Sequence, residues 1–470
     1  MNLLFPILLA LAAPLAHAAS GLTIYNQDFA VVRDTLPLEL PSGTSELVFD
    51  GATRLLEPDS VILRDASGAP LRILEQNYRN DPVTQQLLLS LSEGKELDFL
   101  VRETTKPDRI VKGKIIRATP DQAPIIEVDG KIQFSLPGEP LFPSLGDDTI
   151  LKPRLVWKIQ APHAIKSQAE LAYITGGLTW QASYNIVAPE KGDTLDIIGW
   201  ITMQNQCGRD FENANIKLLA GDVNKIATPD RMIRRRMEDA QVMAMSAPAV
   251  TEKTFDEFHL YSLQRPATLR NRETKQVEFI RSSAVQSETI YTYDGADIAN
   301  WQSIDPSFRR TNQEFGTQSS KKIKITREFK NTKQNNLGIP LPKGRIRFYR
   351  ADEDTLEFTG ENELDHTPAD ELIKIHTGDA FDLVGERKRT DFQIDTANKS
   401  CTETFEITLR NRKKTPVTLR VVEHLYRSAN WKITANSDPF TKSNSNEIQF
   451  SIPVKPGEER KLTYTVQYTW

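Results

Sequence analysis

Cys207 and Cys401 are the only thiols in the 470-residue chain. Paired, they would close a loop of 194 residues (401 minus 207). The chain-entropy argument values that closure at about 4–5 kcal/mol, provided the Cα atoms come within ~7 Å. Unpaired, they are two separate buried thiols, and the sequence leaves both arrangements open. Neither implies a neighbouring histidine, so a thiolate–imidazole nucleophile is not indicated. Two cysteines are also too few for a disulfide scaffold or a multi-thiolate metal centre.

Beyond residue 18, histidine is confined to His163, His259, His366, His376 and His424, and none forms an HExxH or HxH pair. Asp365, Asp370 and Glu371 surround His366, with His376 ten residues further on. Imidazole and carboxylate together suit a divalent cation. The favoured reading of Thr367-Pro368-Ala369-Asp370 is a helix start, with Thr as N-cap and Pro at the first helical position. The paired acids Asp147-Asp148 and Glu361/Glu363 could in principle serve acid–base hydrolysis. Without a site built around them they are ordinary surface carboxylates. The sequence therefore assigns no catalytic, cofactor-binding or metal-ligating residue.

Charge is segregated in the last third. Residues 321–350 hold ten basic side chains and one acid, Glu328, whereas residues 351–373 hold nine acids and no Lys or Arg. Opposite charges on neighbouring strands pair for a few tenths of a kcal/mol each, and that explanation is preferred. Functionally, the acidic run could hold Ca²⁺, although it lacks the DxDxDG spacing. The basic run could meet an anionic envelope polymer or lipid head groups. Over the whole chain, 59 basic minus 63 acidic residues leave −4. That balance lacks the broad basic face of a general nucleic-acid binder.

The elements that must position these residues read as β throughout. Short apolar runs alternate with Gly, Pro, Asn and Asp, as in Ile125 to Val128 before Asp129-Gly130. Val417, Leu419 and Val421 alternate with Thr418, Arg420 and Val422, a pattern that suits antiparallel sheets. Repeated strand–helix alternation is absent, which argues against a doubly wound parallel fold. The expected fold is all-β: several β-sandwich or small-barrel units in series. The expected segments are an N-terminal β domain at 19–87, a small barrel-like unit at 88–138 and a central sandwich at 139–225. A Met/Arg-rich, mobile or partly helical insertion at 226–255 precedes a C-terminal sandwich at 256–470. The final strand, Leu462 to Trp470, alternates like the last strand of an outer-membrane barrel. Proline, short strands and dense charge favour a sandwich strand instead, with Trp470 covering the core.

The start reads as an address. Residues 3–13 are apolar and Ala16-His17-Ala18 gives a small-x-small pattern, so cleavage of a signal peptide is expected after Ala18. No later stretch reaches the ~18–20 apolar residues of a spanning helix. The expected product is an exported protein, periplasmic or extracellular, without a transmembrane segment.

Four stretches resemble a known family: Leu22 to Asp50; Tyr173 to Val187 with the run from Asp210 onward; Phe258 to Phe279; and Gly344 to Pro368 with Gly378 to Phe392. The chain is similar to exported bacterial proteins carrying the domain of unknown function 4139, and more distantly to the mucoidy inhibitor A proteins. The resemblance implies a β-rich fold and no assigned reaction or catalytic residues. Cys207 departs from the small polar residue expected there. The expected function is a non-catalytic binding or structural β module of the envelope, whose partner is an envelope protein or polymer. The alternative is a carboxylate-dependent hydrolase acting on such a polymer.

Overall fold

The computed structural model describes residues 20–80, 83–103, 106–119, 122–143, 150–221, 223, 225, 250–255, 258–296, 298 and 301–470. The expected leader and its expected cleavage point after Ala18, the Asp147-Asp148 pair and residues 226–249 of the expected insertion lie outside them. The all-β expectation holds: strands dominate, and the α-helices among the described residues are the short Gln85–Ser90 and Pro306–Thr311. No helix among the described residues is long and apolar enough to cross a membrane.

The chain divides into two compact units. The first comprises Met1–Trp180, Met203–Leu219 and Arg265–Lys275. Its main sheet is built on Phe29–Leu40, where alternate residues are buried. This strand runs antiparallel to Ile165–Gly176, with Ile165 opposite Leu40 and Gly176 opposite Phe29. Gly21–Tyr25 pairs with it on the other side and lies parallel to Phe211–Ala220. A second sheet sets Arg154–Ala161 between Gly43–Phe49 and Arg72–Arg79. Trp157 is buried there, and its indole donates to Gln76 at 2.8 Å.

A third sheet in this unit corresponds to the expected small barrel. Its strands run Glu139–Leu141, Glu96–Glu103, Lys106–Arg117, Ile125–Val128 and Lys131–Gln133, all antiparallel. The order is an open path, so the barrel expectation is corrected to an open sheet. The two edge strands have three residues each and are not paired with one another. Leu97, Phe99, Ile115 and Ile126 form its core with Leu89 from the short helix. Gly113 faces that core because a Cβ there would lie 2.9 Å from the Phe99 ring.

The second unit comprises Gln181–Thr202, Ala220–Gln264 and Gln276–Trp470. Its C-terminal part is a two-sheet sandwich. One sheet has six strands in the order Leu372–Asp379, Ile323–Lys330, Glu288–Asp294, Val417–His424, Glu447–Val454 and Phe440–Asn444. The other has four: Leu383–Asp395, Ser400–Asn411, Glu459–Thr469 and Asn430–Asn436. Leu419, Val421, Phe450 and Ile452 from the first meet Phe405, Ile407, Tyr464 and Val466 from the second in one core. The alternating final strand is therefore a sandwich strand. Tyr468 fills the core end assigned to Trp470, which is only half-buried.

A five-stranded sheet completes the unit, in the order Thr274–Gln286, Thr194–Asn205, Leu178–Ala188, Gly344–Asp352 and Thr355–Leu364. Ala182 to Ala188 run parallel to Gly344 to Arg350. Gly344 admits this approach, because a Cβ there would meet the Ala182 carbonyl at 2.3 Å. Val250–Phe255, the end of the expected insertion, is a strand paired with Phe258–Leu263.

Candidate functional site

The charged runs of the sequence meet in this five-stranded sheet. Gly344–Asp352 pairs with Thr355–Leu364, setting Arg345 opposite Glu363 and Arg347 opposite Glu361. Lys343 reaches Glu363 at 3.5 Å, and Arg345 reaches Glu361 at 3.3 Å. The cross-strand explanation of the segregated charge is thus observed, and Glu361 and Glu363 are engaged in it. Such exposed pairs each contribute below about 1 kcal/mol.

The expected helix at Thr367 is corrected. Residues 365–371 form a turn and a bridge to Leu341, and a strand follows from Leu372. Asp370 has φ 68°, a left-handed backbone that stops a right-handed helix. Thr367 Oγ1 donates back to the Asp365 carbonyl, so it caps nothing. The Asn331 amide holds the Pro368 carbonyl at 2.8 Å. His366 Nδ1 accepts the Lys343 N–H at 3.2 Å, while His376 faces Asp379 at 3.6 Å. Among the described residues, no group of three or more His, Cys, Asp or Glu is arranged to hold a metal ion.

Cys207 and Cys401 are both buried and both free. Cys207 follows the strand Thr194–Asn205 in the first unit, and its thiol points at the Arg209 carbonyl, 3.8 Å away. Cys401 lies on Ser400–Asn411 in the second unit. Burial pushes each thiol up to about 11.

An open cleft of about 1470 Å³ lies within the second unit. All six strands of the sandwich sheet contribute to its lining, from Thr377 to Asp379 at one edge to Phe440 and Thr441 at the other. Five inter-strand gaps of about 4.8 Å give it a length of roughly 24 Å. Phe348, Arg350 and Thr359 from the neighbouring sheet and the Glu190 to Asp193 loop form a further wall.

The lining carries five cations, Lys191, Arg327, Arg350, Lys413 and Arg420, and four carboxylates, Glu190, Asp193, Glu288 and Asp379. Arg327 has only 5% of its side chain exposed and donates to Asp193 at 2.7 Å. Burial, with the charge of Arg350 nearby, holds its guanidinium below the usual value despite the pull of Asp193. Asp193 is itself placed by the Thr289 hydroxyl at 3.0 Å. Arg420 is paired with Glu328 at 2.8 Å, Lys191 with Glu190 at 3.5 Å and Asp379 with Lys322 at 3.0 Å. The Lys322 hydrogen bond keeps the Asp379 carboxyl below its ordinary range. Arg350 donates to the Glu190 backbone carbonyl at 3.0 Å, and Lys413 to the Tyr291 hydroxyl at 2.6 Å. Among the described residues, neither of these two cations meets a carboxylate.

The sandwich also carries buried charge that sequence reading missed. Glu423 accepts from Arg387 at 2.9 and 3.0 Å and from the Tyr464 hydroxyl. Glu403 accepts from Arg427 at 2.9 Å and from Arg389 at 3.1 Å. Arg387 lies over the Phe405 ring at 3.8 Å. Arg427 also donates to the Asn312 and Phe315 carbonyls, fastening the segment after the helix Pro306–Thr311. Each carboxylate is shared, so these are networks that order the core.

The fold and cleft define an all-β protein with an open, amphoteric groove. The chain belongs to the family defined by a domain of unknown function (DUF4139), whose model matches residues 169–470 and takes in the whole cleft lining. A search of curated proteins finds no match to the chain.

Proposed function

We propose that the chain is a non-catalytic binding module of the bacterial cell envelope, and that the cleft of the second unit receives an extended polymer segment. The size of the cleft carries this reading. Small-molecule sites enclose about 300–1,000 Å³, and this groove exceeds them while staying open. Six of its nine charged side chains are held in ion pairs, which suits recognition over proton transfer. The leader expected before Ala19 supports delivery to the envelope.

Hydrolysis by the cleft carboxylates is the second reading, favoured only by their presence. A general acid needs a raised carboxyl pKa, and Asp379 is shifted the other way. The test presents purified mature chain with a panel of envelope glycan and peptide oligomers, measuring retention and product release together. Retention without product is expected. Product release that disappears in Asp379→Asn or Glu288→Gln would replace binding by hydrolysis. Sequencing the exported protein should give Ala19 as its first residue, and an intact residue 1 would remove the export argument.

A further inference from the structure

We infer that the polymer bound in this cleft is an acidic glycan, a hydroxyl-rich chain carrying carboxylate or phosphate groups; this rests on the binding reading above. The charge of the lining points to an anion. After the ion pairs are removed, Arg350 and Lys413 remain as cations without a carboxylate, against one unpaired acid, Glu288. The two cations are half-buried while Glu288 is exposed. Solvent screens the acid more strongly, so the depth of the cleft is positive. Arg327 adds a third, almost fully buried cation whose single carboxylate partner, Asp193, is 59% exposed. A guanidinium receives carboxylate and phosphate oxygens equally well.

The sheet explains why the chain is a glycan. Of the six sandwich-sheet strands in the lining, the four between the edge strands Leu372–Asp379 and Phe440–Asn444 are paired on both sides, so along most of the cleft no backbone groups are open to an added peptide strand. What the cleft offers is side-chain chemistry. Thr418 and Ser451 stand exposed on adjacent strands, beside the Gln449 amide and Arg420. Such hydroxyls and amides match a polyhydroxylated ligand, and the unpaired cations match its acidic groups.

The experiment titrates the full mature chain with four fluorescent probes: hexagalacturonate, phosphorylated mannohexaose, neutral mannohexaose and hexaglutamate. At least one acidic glycan is expected to bind ten-fold or more tighter than the neutral glycan and the peptide. Which one binds decides between carboxylate and phosphate. Arg350→Gln and Lys413→Gln should each weaken that binding about ten-fold, and Glu288→Gln should tighten it. Arg345→Gln, outside the cleft, should leave it unchanged, and thermal melts of each variant report folding separately. Equal or tighter binding of hexaglutamate overturns the glycan assignment. Tight binding of neutral mannohexaose, insensitive to Arg350→Gln, overturns the anionic assignment but leaves the cleft as a binding site. If no probe binds at millimolar concentration, the inference fails. Failure of the broader envelope panel as well is what would remove the binding reading.

Discussion

Replacing Glu423 with Gln keeps the shape of the side chain and removes its charge. Arg387 then remains inside the sandwich with 3% of its side chain exposed and no counter-charge. Burial opposes the guanidinium charge, and at present Glu423 and Tyr464 outweigh it, holding the pKa above the usual value. Removing one partner of such a pair costs about 3–5 kcal/mol. Large units lose about 2–4 °C in Tm per kcal/mol, so a fall of roughly 6–20 °C is expected. The double variant Arg387→Met/Glu423→Leu removes both charges together. Similar replacements elsewhere are neutral or stabilising. Here the Tyr464 hydroxyl and the Gly316 carbonyl lose partners, at about 1–3 kcal/mol for each group left unsatisfied. The double variant should therefore melt above Glu423→Gln yet below the parent. Calorimetry and denaturant titration of the three proteins make the comparison. A Glu423→Gln melt within 2 °C of the parent would refute the buried-charge account. A double variant less stable than the single would show that the pair contributes net stability.

Three further outcomes follow from the same physics. Asp34→Ala strands Arg209, which donates to Asp34 at 2.6 Å with 19% of its side chain exposed; a loss of about 2–3 kcal/mol should appear as faster hydrogen exchange in Phe29–Leu40 and Ile165–Gly176. Both thiols are buried and shifted to about 11, so at pH 8 about one in a thousand is thiolate. The native chain should resist alkylation, while the unreduced, denatured chain should take up two labels; none would establish the Cys207–Cys401 bridge. At His424, burial disfavours the charge, but Asp294 at 3.1 Å and Glu447 outweigh it and raise the pKa. The folded value exceeds the unfolded value of about 6.5, so the stabilisation is full below ~6.5 and fades as pH rises through the folded pKa. Melts between pH 5.5 and 8.5 should show this decline, and His424→Gln should flatten it; an unchanged slope would discard the assignment.

The sandwich was legible because its signal is local. Val417 to Val422 and Leu462 to Tyr468 alternate with period two, and the structure buries Leu419 and Val421 of the first and every apolar member of the second. The opposed charge was legible in part for the same reason, since Arg345 to Arg350 and Asp352 to Glu363 occupy one hairpin. The turn at Thr367 misled because N-cap chemistry also serves turns, and only the left-handed backbone of Asp370 decides between them. The buried networks were illegible in principle. Arg387 and Glu423 are 36 residues apart, and an unpaired charge reads as surface. The cleft draws on six strands whose spatial order differs from their sequence order, so no contiguous motif announces it.

The anchoring of the two free cations bears on how such a cleft would work. A Lys or Arg head left in solvent loses about 2 kcal/mol of rotamer entropy when a ligand fixes it. An ion pair would remove that loss but would also cancel the charge. Arg350 and Lys413 avoid both outcomes. Their anchors are a backbone carbonyl and a phenol hydroxyl, which orient the heads without neutralising them. Lys413 additionally stands 4.5 Å over the Tyr291 ring, an attraction worth about 0.5–1 kcal/mol at an exposed site. Part of the ordering is therefore complete before any ligand arrives, and preorganisation of this kind improves affinity chiefly by reducing what binding must immobilise. It follows that Tyr291→Phe, which keeps the ring and deletes the hydroxyl, should weaken an acidic ligand less than Lys413→Gln does. Equal losses in fluorescence titration would mean that the hydroxyl itself touches the ligand, and that the anchor reading of Tyr291 is wrong.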